Sequence, residues 1–268
     1  MKASYLQFAP EYLERERNWD RAFDLLSGTS ADLVVLPELF PSGYFFRTEA
    51  DLKRVAEPIP EGPTTTRLTS WAQQTGASLV AGLAEQDGDD IYNSAVLVRP
   101  SGEVDTYRKV HLFYEETTLF QPGDLGFPVV EVDTRDGTPY RLGMMVCFDW
   151  YFPEAARSLA LQGADVIAHP SNLVLPHCPD SMPVRARENH VFTITANRFG
   201  TESNGEEELT FIGMSTICGP DGEILRRADR TGAVVGTVDF DPHRARDRHI
   251  NDYNDTLGDR RPEVYTTE

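Results

Sequence analysis

The sequence predicts an α/β protein in which helices cover a mixed sheet, and three observations lead there. Short apolar runs alternate with stretches whose apolar residues recur at helical spacing. Some neighbouring runs are joined by tight Pro/Gly turns and others by a helix, so hairpins and β-α-β passages are interleaved. The chain of 268 residues is 40% hydrophobic, with no long Gly/Ser/Pro linker and no internal repeat, which suits a single domain over 1–268.

Each element follows from its local pattern. Residues 3–8 read as a first strand, and 12–26 as a helix with one apolar face. Residues 31–36 (A-D-L-V-V-L, before Pro37) read as a buried strand. A helix over 63–75 is closed by Gly76, and a strand over 78–83 follows. Residues 91–98 and 103–107 flank Pro100-Ser101-Gly102, a turn that makes them a hairpin. Another buried strand covers 141–146, then a helix over 153–161 stops at Gly163, and a strand covers 164–168. A short helix over 183–189 precedes a strand over 192–196. Residues 215–218 and 223–227 bracket the turn Gly219-Pro220-Asp221-Gly222, and 234–238 form the last strand. Residues 200–208, rich in Gly, Ser and Glu, are expected as an exposed loop, and about 240–268 as an irregular, charged C-terminal arm.

Composition narrows the function. Against 43 acidic residues stand 25 basic ones, a net of −18, and such an excess repels phosphate backbones, so no nucleic-acid partner is expected. Only three basic residues are lysines (Lys2, Lys53 and Lys109); the other 22 are arginines. An acidic, lysine-poor surface matches proteins of salt-loving microbes, in which screening relieves self-repulsion. Ordinary acidic solubility in a GC-rich genome gives the same composition. No apolar run approaches the roughly 18 residues of a membrane span, so no membrane partner is expected. The opening Met1-Lys2-Ala3-Ser4-Tyr5-Leu6 does not read as a signal peptide. Three cysteines (Cys147, Cys178 and Cys218) form no disulfide framework and point to reduced thiols in the cytoplasm.

Three residues could carry chemistry. Cys147 ends an apolar strand just before a helix, where open α/β sheets place ligands, and a helix start aimed at its sulfur favours thiolate. A buried structural cysteine fits that position as well. Glu38, between Leu36-Pro37 and Leu39-Phe40, reads as a partly desolvated general base or as a surface carboxylate. Lys109 stands out in a chain that otherwise uses arginine, because a tight pocket needing a compact ammonium does not accept a guanidinium. A nucleophile, a base and a cation suffice for acyl transfer through a thioester.

Three segments in which these residues lie, Leu36-Pro37-Glu38-Leu39-Phe40, Tyr107-Arg108-Lys109-Val110-His111-Leu112-Phe113 and Val146-Cys147-Phe148-Asp149-Trp150, resemble the signature segments of the nitrilase, or carbon–nitrogen hydrolase, superfamily. Connecting segments such as Gln121-Pro122-Gly123-Asp124 and His169-Pro170-Ser171-Asn172 are similar to family sequence too, and the likeness runs from about Ser4 to Asp239. Through Ile250-Asn251-Asp252 it extends to the archaeal and hyperthermophile-type nitrilase-like branch. The resemblance implies a four-layer αββα sandwich, usually paired into a homodimer or higher homo-oligomer. It implies Glu38 as general base, Lys109 as transition-state stabiliser, Cys147 as nucleophile and the backbone N–H of Phe148 in the oxyanion hole. A second carboxylate falls on Glu116, with Glu115 as its rival, and Arg187 and Glu188 read as structural. The implied activity is cofactor-free, metal-free cleavage of a small aliphatic amide or nitrile, releasing ammonia and a carboxylic acid.

Alternatives remain at this point. N-carbamoyl compounds rank behind, since no basic cluster follows Cys147 to hold a carboxylate. A papain-like hydrolase would pair Cys147 with His169 or His190, and a catalytically silent scaffold would need none of these residues. His169, His177 and Cys178 match no short metal-ligand spacing, His111 reads as packing or hydrogen bonding, and Cys218 as core. Gly232-Ala233-Val234-Val235-Gly236 lacks the lysine and helix of a phosphate loop.

Overall fold

The central strands of each sheet bury both faces, so each sheet needs a layer on either side of it. The computed structural model describes residues 1–266. Its N-terminal part supplies β1 (Lys2–Gln7), β2 (Leu33–Val35), β3 (Ser78–Asp87), β4 (Asp90–Val98) and β5 (Val104–Arg108). Then come β6 (Val129–Asp133), β7 (Pro139–Met144), β8 (Val166–Ser171) and β9 (Phe192–Asn197). A separate hairpin, β10 (Phe199–Ser203) and β11 (Glu208–Ile212), precedes β12 (Thr216–Cys218), β13 (Ile224–Arg227) and β14 (Val234–Asp239). The helices are α1 (Arg15–Leu26), α2 (Glu49–Val55), α3 (Pro63–Thr75), α4 (Glu116–Leu119), α5 (Pro153–Leu161) and α6 (Cys178–Asn189).

Two six-stranded mixed sheets result, ordered β14-β1-β2-β3-β4-β5 and β13-β12-β9-β8-β7-β6. Each contains three adjacent parallel strands, β1, β2 and β3 in one and β7, β8 and β9 in the other. Period-two alternation divides the first sheet's side chains. Tyr5, Val35, Val80 and Leu97 point inward and share a core with Leu142 and Met144 of the second sheet. Leu6, Val34, Leu79 and Val96 point outward onto α1 and α3, where Trp19, Leu26 and Leu68 meet them. On the far side, α5 and α6 bring Leu159, Met182 and Ala186 to the second sheet. The layers therefore run helix, sheet, sheet, helix, the expected αββα sandwich. Helix α3 starts at Pro63 and stops at Gly76, as its sequence indicates, and the buried Glu57 carboxylate accepts from the N–H groups of Thr64 (2.8 Å) and Thr65 (3.2 Å) at its first turn.

Several expectations change. Residues 200–208 are not a loose loop: β10 and β11 pair antiparallel across them, and Glu202 is buried. The helix expected over 183–189 begins at Cys178 and carries Pro183 inside it. Helix α2 and edge strand β6 were not anticipated, since both are short and interrupt apolar residues with charged ones. The C-terminal arm is more ordered than expected: Phe240 stacks on Phe192 at 4.1 Å, and a small ladder pairs β15 (His249–Asn251) with β16 (Asn254–Asp255). Arg246 grips Asp165 through two bonds of 2.9 and 2.8 Å. The last two residues of that arm, 267 and 268, lie outside the described residues.

Candidate active site

Strand ends bring the three segments together. Glu38 lies just beyond β2, Lys109 just beyond β5 and Cys147 just beyond β7. Strand β5 runs in the same direction as β2 and β3, because two antiparallel pairings separate it from β3. All three side chains therefore leave from carboxyl ends of strands. Backbone bonds seat the first two: the Gly82 N–H donates to the Pro37 carbonyl (3.2 Å), and the Lys109 N–H to that of Asn93 (2.8 Å). Gly82 is needed for this approach, since a Cβ there would stand 2.5 Å from the Glu38 Cα.

Lys109 and Glu38 are fully buried, and Glu116 nearly so. Lys109 Nζ donates to Glu38 Oε1 at 2.8 Å and lies 2.7 Å from both Glu116 oxygens. Glu115, the rival carboxylate, instead occupies the residue before α4, so the structure puts Glu116 on the ammonium. Asn93 Nδ2 donates to Glu38 Oε1 (2.7 Å), and Tyr44 donates its hydroxyl proton to Glu116 Oε1 (2.5 Å). Glu38 Oε2 is buried without a hydrogen-bond partner.

Cys147 opens a five-residue 3-10 turn with φ at +41°, a left-handed conformation that costs about 1–3 kcal/mol and needs external support. Asp149 supplies part of it. One oxygen accepts from the Val146 N–H (2.8 Å) and the Tyr107 hydroxyl (2.6 Å), the other from the His111 N–H (3.1 Å), tying the elbow to the Lys109 segment. His169 supplies the rest, with Nε2 2.9 Å from the Cys147 carbonyl oxygen and Nδ1 3.0 Å from Thr195 Oγ1. A carbonyl only accepts, so Nε2 carries the proton. Burial pushes His169 down to about 4, leaving it neutral. The pairing that a Cys-His hydrolase needs is not made: His169 turns to the carbonyl, and His190 Nδ1 lies near the Ala245 carbonyl. Asn172 completes the frame; its Nδ2 donates to the Glu38 carbonyl (2.9 Å).

Two carboxylates share one ammonium here, and that imbalance sets the protonation states. Burial alone pushes Lys109 down, but the charges of Glu116 and Glu38 outweigh it and hold the ammonium above its ordinary range. Burial raises Glu116, with Lys109 opposing. Cys147 is pushed well above the ordinary thiol range, first by burial and then by Glu38, which Lys109 only partly offsets. The resting sulfur is thus a thiol, and the expected thiolate-favouring helix start is overruled by desolvation and negative charge. Beside it opens a narrow cleft of about 20 Å³ walled by Phe113, Phe148, Trp150, Leu173, Val174 and Leu175, none of them charged.

Asn93, Tyr44, Asp149 and Asn172 were not recognised as site residues from sequence, and His169 was weighed there only as a rival base or a metal ligand. Asn93 left a signal, a single amide inside the apolar run 91–98. Tyr44 left none. Among the described residues, no three His, Cys, Asp or Glu side chains converge as metal ligands.

Known proteins are similar to this chain along nearly its whole length. The carbon–nitrogen hydrolase family pattern matches residues 2–249. A nitrilase of Pyrococcus abyssi is 49% identical over 268 residues, covering 99% of each chain. An (R)-stereoselective amidase of a Pseudomonas species is 34% identical, over 97% of this chain and 92% of its own. Among solved structures, an amidase from Nesterenkonia sp. AN1, a glutamate-to-glutamine variant with acrylamide added to its active-site cysteine, superposes with a TM-score of 0.77. That protein is 28% identical, with 92% of this chain and 96% of its own aligned. A match over residues 2–249, together with relatives similar from end to end, makes the chain a member of the carbon–nitrogen hydrolase family.

Proposed function

We propose that the chain hydrolyses small, uncharged carboxamides or nitriles through a thioester on Cys147. The observation that carries this reading is the buried ion triplet Glu38–Lys109–Glu116 beside the Cys147 sulfur at the mouth of an apolar cleft. Glu38 Oε2, free of other partners, takes the thiol proton as the sulfur attacks the carbonyl or nitrile carbon. Lys109 and the Phe148 N–H, in the first turn of its 3-10 segment where backbone donors have no partner within the helix, stabilise the negative charge that develops on oxygen or nitrogen. Collapse of an amide adduct breaks the C–N bond, and Glu38 returns the proton taken from the thiol to the departing ammonia. A nitrile passes first through a thioimidate, which takes up water before ammonia leaves. On either route a water deprotonated by Glu38, the only one consumed for an amide and the second for a nitrile, then cleaves the thioester to a carboxylic acid.

The uncharged cleft walls support an apolar acyl group and disfavour N-carbamoyl substrates with charged tails. A panel of aliphatic amides, nitriles and N-carbamoyl amines assayed for ammonia is the test. Turnover confined to uncharged amides or nitriles supports the reading; preference for a charged carbamoyl compound overturns it. Residues 1–268 act in this reading as one cytoplasmic domain that pairs with a second copy. Exposed Tyr151, Leu161 and Val184 on and beside α5 and α6 supply apolar surface for the pairing, which a solution mass measurement checks.

A further inference from the structure

Glu116 is held by more than Lys109, and its other support reaches it from a distant part of the chain. Tyr44 takes no part in the proposed chemical steps, yet it is buried with its hydroxyl 2.5 Å from Glu116 Oε1. Its backbone is fixed as firmly as its hydroxyl. Glu202, in the β10–β11 hairpin, accepts from the N–H groups of Tyr44 (2.9 Å) and Phe45 (2.8 Å) with one oxygen. Its other oxygen pairs with the buried Arg198, whose guanidinium lies 4.2 Å over the Phe211 ring. Phe211 in turn meets the Tyr44 ring edge-on at 5.8 Å. Gly43 makes room for this arrangement, because a Cβ there would stand 2.7 Å from Glu202 Oε1. A buried ion pair that clamps two successive N–H groups is far more than a chain needs to seat an inert tyrosine.

We infer that Tyr44 is a positioning residue for catalysis, clamped by the Arg198–Glu202 pair so that its hydroxyl keeps Glu116 ionised and aimed at Lys109. Without that donor, one Glu116 oxygen loses a charge-assisted bond and the carboxylate takes up a proton more readily. Lys109 is then left with one full counter-charge instead of two, and its ammonium is free to move away from the developing oxyanion. The groups facing Glu116 are Lys109, Glu38, the Tyr44 hydroxyl and the Phe113 N–H, which lies 3.3 Å from Oε2. Burial, then the nearby charges of Glu116, Glu38 and Cys147, hold the Tyr44 phenol well above its ordinary value, so it stays a donor throughout the working range.

This inference rests on the proposed roles of Lys109 and Glu116, and the experiment separates the two. Tyr44→Phe removes only the hydroxyl and keeps the ring against Phe211. On whichever amide or nitrile the wild-type enzyme turns over, the variant is expected to lose about tenfold or more in kcat, the size of a lost hydrogen bond to a buried charge. Its KM should change little, and the acid limb of its kcat–pH profile should move to higher pH, since the ionised form of Glu116 has lost a stabilising donor. In a Glu116→Gln background, the same substitution should cost much less, because there is no carboxylate left to hold. An unmoved acid limb, or equal losses in both backgrounds, would overturn the positioning role and leave Tyr44 as packing. Absence of turnover by the wild-type enzyme on the whole panel would instead count against the proposed function.

Discussion

Lys109 is where sequence and structure agree most sharply at the scale of single residues. It is one of three lysines in the chain, and it is fully enclosed between two carboxylates at hydrogen-bond distance. A planar guanidinium does not fit between them without displacing one, so Lys109→Arg is expected to lower kcat by about 10²–10³-fold, as losing an oxyanion-hole donor does. Near-normal turnover in a steady-state assay would contradict its role. His169 gives a second test. Since burial holds it at about 4, it does not titrate where an ordinary histidine does, and it acts by holding the Cys147 carbonyl. His169→Asn should therefore lower kcat, yet leave the acid limb of the kcat–pH profile in place; loss of that limb would point to histidine as the base. Glu38, Lys109 and Cys147 were legible because each sits in a contiguous segment with its strand context. Asp149, Asn172 and Tyr44 were not, because each acts through a partner 38 to 134 residues away, a separation that local pattern does not encode.

Elements matter here by how they end. Strand β2 is only three residues long, and the segment after it, Leu36-Pro37-Glu38, is seated by backbone bonds to β3. Gly82→Ala would push a methyl group into the Glu38 backbone, where neither side yields easily. It is expected to destabilise by about 1–3 kcal/mol and to abolish most activity, as chemical denaturation and the ammonia assay together would show. Full stability with full activity would mean that Glu38 need not sit where the structure has it. Strong signals such as the Gly76 stop and the Pro100-Ser101-Gly102 turn placed α3 and the β4–β5 hairpin correctly. Weak periodicity hid α2 and β6, and the polar composition of 200–208 concealed a hairpin whose one buried carboxylate, Glu202, accepts from the backbone of Tyr44 and Phe45. Composition alone does not distinguish a solvated glutamate from one paired with a buried arginine.

The whole molecule has two features that no single segment reveals. The sequence pattern indicates a mixed sheet with helices, but strands buried on both faces do not say whether the second face meets helices or another sheet; the αββα order came from the family resemblance and the structure bears it out. The second feature is charge. With a net of −18, self-repulsion opposes the folded state, so raising salt from low to molar concentration should raise the melting temperature, by about 2–4 °C for each kcal/mol of repulsion screened. A flat melting curve series would argue for ordinary acidic solubility rather than adaptation to high salt. The first of these features encloses the sulfur of Cys147, a residue only 5% exposed. Its chemistry is tested most directly by acid-quenching the enzyme during turnover of a good amide or nitrile and mapping the mass of each cysteine peptide. The Cys147 peptide should gain the mass of the acyl group, and a Cys147→Ala protein should gain nothing and release no ammonia. An acyl mass on Cys178 or Cys218, or ammonia release that survives in Cys147→Ala, would contradict the thioester route.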